Sequence, residues 1–365
     1  MQKTGKNRLP GNCRVFPLFM LCTVLLGFPL FACYTLDPER QSSPNYRDGR
    51  YQNLYDDSDI LSKGLSTVLY WKWFGELEPP SVDSIPSGPP EVSFLKRDDF
   101  YPPNGIVRII WLGHATTWIA ATVDHRTYHL ILDPVFGDVL TRPRMTELPL
   151  AVDKIPAVDA ALVSHAHRDH LDLPTLVSLA RKNDDTLVFL PSGMRLWASE
   201  EGLNSVIQEW WDTNQIGPFN IQYMPAQHWS RMGINDTMQY HWGGYWIKVG
   251  KRNIFFAGDT AYSPHFKDIR RSRPESLDLA IMPVGAFKPR WFMKAAHIDA
   301  LEALQASADL QATRMVPVHW GTFELGDDLP RESSLYLKHL VARGMAPENL
   351  EVIHWKPGQF LDLHL

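Results

Sequence analysis

The stretch that decides the fold is "SHAHRDHLDL", residues 164–173. Three histidines and two aspartates fall within residues 165–172. The apolar run "DAALV" (159–163) leads in and reads as a buried strand. "LDLPTLVSLARK" (171–182) leads out and reads as a helix, with Asp172 as its cap and Pro174 in its first turn. The cluster is therefore a loop between a strand end and a helix start. His165 and His167 are two apart, so in an extended loop they point to one side. Asp169 and His170 follow where the chain turns and face a second point nearby. Groups crowded like this repel one another or lose hydration unless a cation compensates them. One short loop can feed two metal ions.

Four ligands are too few for two ions, so the others must come from other strand ends. His228 follows "NIQYMPAQ", Asp259 sits in Gly258-Asp259-Thr260 after "NIFFA", and His319 follows "TRMVPV". Alone, a strand-end histidine is usually a hydrogen-bonded core residue, and Gly-Asp-Thr is only a turn. Beside the 165–170 cluster, all three become expected ligands together. All three cysteines (Cys13, Cys22 and Cys33) lie near the N-terminus. Any metal in the remaining chain is held by His and carboxylate, a donor set suited to zinc and open to iron or manganese.

Outward from this loop the pattern is regular from Gly105 on. Short apolar runs end at "WLG", "LDP", "VSH", "LPS", "AGD", "PVG" and "VHW", and helical stretches are expected at 172–182, 192–201, 264–272, 297–308 and 331–343. Strands come first as a meander and then alternate with helices, which implies sheets inside and helices outside. The expected organisation is a catalytic domain over 105–365, preceded by an aromatic and Pro-rich lead-in (66–104), a polar tether (34–65) and an N-terminal segment (1–33). That segment carries Lys3, Lys6, Arg8 and Arg14, then an apolar run ending "LFAC" at Cys33. It reads as a lipoprotein-type export signal or a signal anchor, placing the protein outside the cytoplasm on a membrane, as a bacterial periplasmic lipoprotein or a signal-anchored protein. Tyr70, Trp71, Trp73 and Phe74 in the lead-in are expected in a helix packed on the domain, with lipid contact as the alternative. With 41 acidic against 36 basic residues there is no basic surplus, and nucleic acid is not an expected partner.

His-x-His-x-Asp-His, then His, Gly-Asp-Thr and His, resembles the metallo-β-lactamase-fold hydrolases over 105–356. The resemblance implies a four-layer αββα sandwich of α/β class, with a dinuclear metal site at the sheet edges. It implies that His165, His167 and His228 hold one Zn2+, that Asp169, His170 and His319 hold a second, and that Asp259 bridges both. A narrower resemblance is carried by "WLGHATTWI", "PAQHWSRM", "FFAGDTAYSPHF" and above all "PVGAFKPRWFMKAAHIDALEAL" (283–304). These are similar to the N-acylphosphatidylethanolamine-hydrolysing phospholipases D, and differ at the N-terminus and in the 66–100 lead-in.

That family implies a phospholipid substrate, cleaved to N-acylethanolamine and phosphatidic acid. Hydroxide shared by the two metals would attack phosphorus in line. Asp259 and Asp169 then belong to the catalytic centre. His297 would bind the phosphate or steady the leaving oxygen, and Arg290 and Trp291 would line the entrance. His114 and Asp133 are candidates for orienting ligands from behind. A lactonase, or another ester or amide hydrolase, uses the same site on carbon. A non-catalytic metal-stabilised lipoprotein has no need of an open two-metal centre.

Overall fold

The computed structural model describes residues 38–365, apart from Asp57 and Thr141. The expected signal or anchor segment and its lipid attachment point lie outside the described residues. Within them the apolar runs form two seven-stranded sheets. The first runs, in spatial order, Phe360–His364, Ile106–Gly113, Thr116–Val123, Arg126–Leu132, Ala160–Leu162, Leu187–Pro191, Ser205–Gln208. The second runs Glu351–Val352, Arg314–Val318, Leu279–Pro283, Arg252–Phe256, Gly244–Val249, Phe219–Met224, Thr213–Ile216. In chain order each sheet starts as an antiparallel meander and continues with parallel pairs.

Period-two alternation divides each strand between two faces. Val107, Ile109 and Trp111 belong to the core shared with Phe219, Ile221 and Ile247 of the second sheet. Ile110 and Leu112, on the other face, pack with Leu176, Leu179 and Ala198. Those three sit on helices Leu173–Ala180 and Arg195–Glu200. Helices His265–Ser272, Ala300–Asp309 and Glu332–Ala342 lie on the second sheet's side. This is the αββα sandwich. Ser205–Gln208, Thr213–Ile216 and Phe360–His364 add strands that the apolar pattern does not announce.

The region read as a polar tether is folded from Pro38 on. Tyr46–Arg47 and Arg50–Tyr51 pair as a short hairpin. Tyr51 is fully buried, its N–H donating to the Met238 carbonyl at 2.8 Å and its hydroxyl lying 2.7 Å from Ser192 Oγ. A buried aromatic anchor outweighs the polar residues around it. In the lead-in helix Leu65–Phe74, Trp71 packs on Phe292 and donates to Asp327, while Tyr70, Trp73 and Phe74 face solvent. Among the described residues no helix is long and apolar enough to cross a membrane.

Candidate metal centre

Every expected ligand follows the C-terminal end of a strand. His165 follows Ala160–Leu162, His228 follows Phe219–Met224, Asp259 follows Arg252–Phe256, and His319 follows Arg314–Val318. Asp172 caps the helix after the loop, its side chain accepting from Thr175 N–H. Two glycines allow the close approach. Gly258 has φ +62 and packs on the Gly243 carbonyl and Ser164, and any Cβ at Gly285 would collide with the His319 carbonyl.

Two groups of ligand atoms form. His165 Nε2 lies 2.9 Å from His167 Nδ1, which lies 3.3 Å from His228 Nε2. In the second group His170 Nε2 is 3.2 Å from His319 Nε2, and Asp169 Oδ2 is 3.4 Å and 3.5 Å from the two rings. Asp259 lies between them: its Oδ2 is 3.2 Å from His170 Nε2 and 3.1 Å from His319 Nε2, and its carboxylate also converges with His165 and with His228 of the first group. His165, His170 and Asp259 also converge as a set, as do His228, Asp259 and His297.

The tautomers explain why these groups need a cation. Ser164 Oγ donates to Asp133, so it accepts from His165 Nδ1 at 2.9 Å. His228 Nδ1 donates to the Ala296 carbonyl at 2.8 Å. His165 and His228 therefore both turn an Nε2 lone pair towards His167. Burial pushes His165 well below its ordinary pKa, His167 down to about 4 and His228 down to about 3, so all three are neutral and His167 Nδ1 can offer one proton to two lone pairs. Asp259 Oδ1 and His319 Nδ1 are buried without a hydrogen-bond partner. Converging lone pairs and an unpartnered carboxylate oxygen fit a metal ion held by His and Asp.

The second group is charged differently. Burial opposes charge on His319, but Asp259 and Asp169 lift it to about 9. Against the same burial, Asp259, Asp169 and Asp133 hold His170 well above its ordinary value. Burial would raise both Asp169 and Asp259, yet the facing histidines keep them well below the carboxylate range. In the metal-free protein the carboxylates thus favour protonation of the His170–His319 pair, whereas a ligand histidine must be neutral. Metal uptake at pH 7.5 is expected to release about one to two protons, and affinity should rise with pH towards about 9. Calorimetric titration in buffers of different ionisation enthalpy measures this, and uptake without proton release would contradict it.

Behind the ligands stand residues that sequence patterns only hint at. His114, with φ 51, places Nε2 3.0 Å from Asp169 Oδ2 and packs on the His319 ring, tilted 42° to it with centroids 4.1 Å apart. Asp133 accepts from His170 Nδ1 at 2.6 Å. Ser230 Oγ fixes the loop by accepting Ala166 N–H at 2.9 Å. His297 brings Nδ1 to 3.7 Å from Asp259 Oδ2, and burial pushes its pKa down to about 3. Arg290, expected at the entrance, is bonded within the protein. Its guanidinium donates to the His297 carbonyl at 2.9 Å and to Glu302 at 2.8 Å. Trp291 is 43% exposed and meets Tyr70 edge-on. Lys288, from the same motif, is buried against Glu332 and the Pro79 carbonyl.

Two stacked mixed sheets with a His/Asp centre at their strand ends define a metal-dependent hydrolase of the metallo-β-lactamase fold. The profile of the "Beta-lactamase superfamily domain" matches residues 128–320, and the chain belongs to that superfamily. It is 31% identical over 265 residues to "N-acyl-phosphatidylethanolamine-hydrolyzing phospholipase D 1" of Caenorhabditis elegans, covering 68% of this chain and 72% of the relative. A mitochondrial enzyme of the same description from Saccharomyces cerevisiae is 32% identical over 243 residues, 62% of this chain and 52% of its own length. The chain thus matches about half of the yeast protein. Among solved structures, a metallo hydrolase of Ignicoccus hospitalis superposes with TM-score 0.53 at 17% identity, over 71% of this chain and 99% of that one, which supports the fold alone.

Proposed function

We propose that this hydrolase is a zinc-dependent phosphodiesterase of phospholipase D type. It holds two Zn2+ and cleaves N-acylphosphatidylethanolamine-like membrane lipids to N-acylethanolamine and phosphatidic acid. The observation that carries the two-ion reading is the convergence on Asp259 of His165 and His228 from one group and of His170 and His319 from the other, with its Oδ1 unpartnered. The phosphodiester reading rests on the similarity to the worm and yeast enzymes.

His165, His167 and His228 would hold one ion, Asp169, His170 and His319 the other, with Asp259 shared. Bound there, divalent ions supply Lewis acidity and lower the pKa of water towards about 7. The chain's own residues do the rest. Asp259 is held far below the usual carboxylate range, which makes it a fixed charge and a weak base. His297 is uncharged at neutral pH, so it meets a phosphoryl or leaving oxygen as a hydrogen-bond partner and not as a cation. Its place is fixed by Met293, whose carbonyl accepts the His297 N–H at 2.9 Å, and by Arg290 on its own carbonyl. The exposed Tyr70 meets Trp291 edge-on and Phe74 stacks on Tyr70, beside the short helix Arg290–Met293 that leads to His297, and this exposed aromatic surface suits a substrate presented by a bilayer.

The test is hydrolysis of N-acylphosphatidylethanolamine vesicles and of a lactone panel by zinc-loaded and zinc-stripped protein. Zinc-dependent release of N-acylethanolamine is expected. Lactone turnover without phosphodiester cleavage would replace this reading with the lactonase one.

A further inference from the structure

The superfamily match begins at residue 128, yet a residue far ahead of it grips the candidate centre. Asn53 Nδ2 donates to the His228 carbonyl at 2.9 Å, and Asn53 Oδ1 accepts the His228 N–H at 3.0 Å. The side-chain amide pairs with both backbone groups of one residue, as a neighbouring strand would. The same Oδ1 accepts from Trp242 Nε1 at 2.9 Å, which fixes the amide's orientation. One residue earlier, Gln227 Nε2 donates to the Asp56 carbonyl at 2.9 Å. Residues 53–56 thus hold the 227–228 loop by three hydrogen bonds.

The grip has a direction. The His228 ring is fixed at Nδ1 by the Ala296 carbonyl. With its backbone fixed by Asn53, the remaining freedom is small and Nε2 points at His167 and His165. The loop around His228 is otherwise irregular, because the strand Phe219–Met224 has already ended. Asn53 is itself seated by a hairpin anchored elsewhere, through Tyr51 at Ser192 and Tyr46 at Gln239.

We infer that Asn53 is a positioning residue for His228, so that the segment ahead of the hydrolase domain is a working part of the three-histidine group. This rests on the two-ion reading above. Asparagine is the residue the geometry needs. It offers one donor and one acceptor at the right reach. Aspartate would put a carboxylate oxygen against the His228 carbonyl, and alanine would leave both backbone groups unpaired.

The experiment uses the full chain as native protein, Asn53→Ala, Asn53→Asp and Tyr46→Phe. Tyr46 contacts the same hairpin without touching His228, so Tyr46→Phe reports on the hairpin alone. Zinc is titrated against chelators of graded affinity, bound ions are counted by mass spectrometry, and metal-free melting is followed for each protein. Native protein and Tyr46→Phe should hold two ions. Both Asn53 variants should bind one of the two about 10- to 100-fold more weakly, with the other unchanged. Asn53→Asp keeps the side chain's size, so it remains informative if Asn53→Ala fails to fold. Native affinities in both Asn53 variants, or equal weakening of both ions, would overturn the inference. A native protein with one ion ends the two-ion reading, and Asn53 then stands only if its variants weaken that ion at least tenfold. A native protein that binds none removes both.

Discussion

An Asp259→Asn protein should remain folded and lose about 10²- to 10³-fold in turnover, with fewer ions bound. The substitution preserves shape, so packing is undisturbed. It removes one full negative charge from a position buried among His170, His319 and His297, at 3.2, 3.1 and 3.7 Å. Loss of one preorganised electrostatic contact in a catalytic centre costs about 2.7–4 kcal/mol of transition-state stabilisation, and each 1.36 kcal/mol is about tenfold in rate. The new amide also turns a donor towards atoms that need an acceptor. In the metal-free protein the pKa of His319 should fall from about 9, because Asp259 is the first of the charges that raise it. Hydrolysis assays, ion counting and histidine NMR titration check the three consequences separately. Full turnover with two ions bound would remove Asp259 as the shared ligand.

The sequence made the centre legible because side chains able to hold a metal stand directly after apolar runs. A strand that ends in His or Asp declares both its address and its chemistry. Seven such residues at strand ends and in one loop converge as their pattern suggests. Other contributions leave no such pattern. Asn53 acts through hydrogen bonds to a backbone 175 positions away, and nothing local to "YQNLY" marks it. The edge strand Thr213–Ile216 carries polar residues because one side of it meets solvent. Lys288 and Arg290 show a different limit. A charged side chain in a motif does not reveal whether its partner is a ligand or the protein itself. Here Glu332, Glu302 and the carbonyls of Pro79 and His297 take them. The motif's bearing on substrate then passes through the placement of His297.

Asp133 should prove the most consequential residue outside the ligand set. Its carboxylate is completely buried at the end of strand Arg126–Leu132. Oδ1 accepts Ser164 N–H at 2.6 Å, while Oδ2 accepts Ser164 Oγ–H at 2.7 Å and His170 Nδ1–H at 2.6 Å. One side chain thus pins the first residue of the metal loop and a ligand six positions later. It also sets the His170 tautomer, leaving Nε2 for the ion. Asp133→Ala leaves three buried donors without that acceptor and should destabilise the metal-free protein by about 3–5 kcal/mol. Asp133→Asn keeps the volume but must present a donor to either Ser164 or His170. Its cost should fall on the centre, as about a 10- to 100-fold loss of affinity for the ion bound by His170. Denaturant unfolding reports the first effect and chelator competition the second. If Asp133→Asn binds both ions as the native protein does, the carboxylate serves the loop's fold alone and His170 is oriented without it.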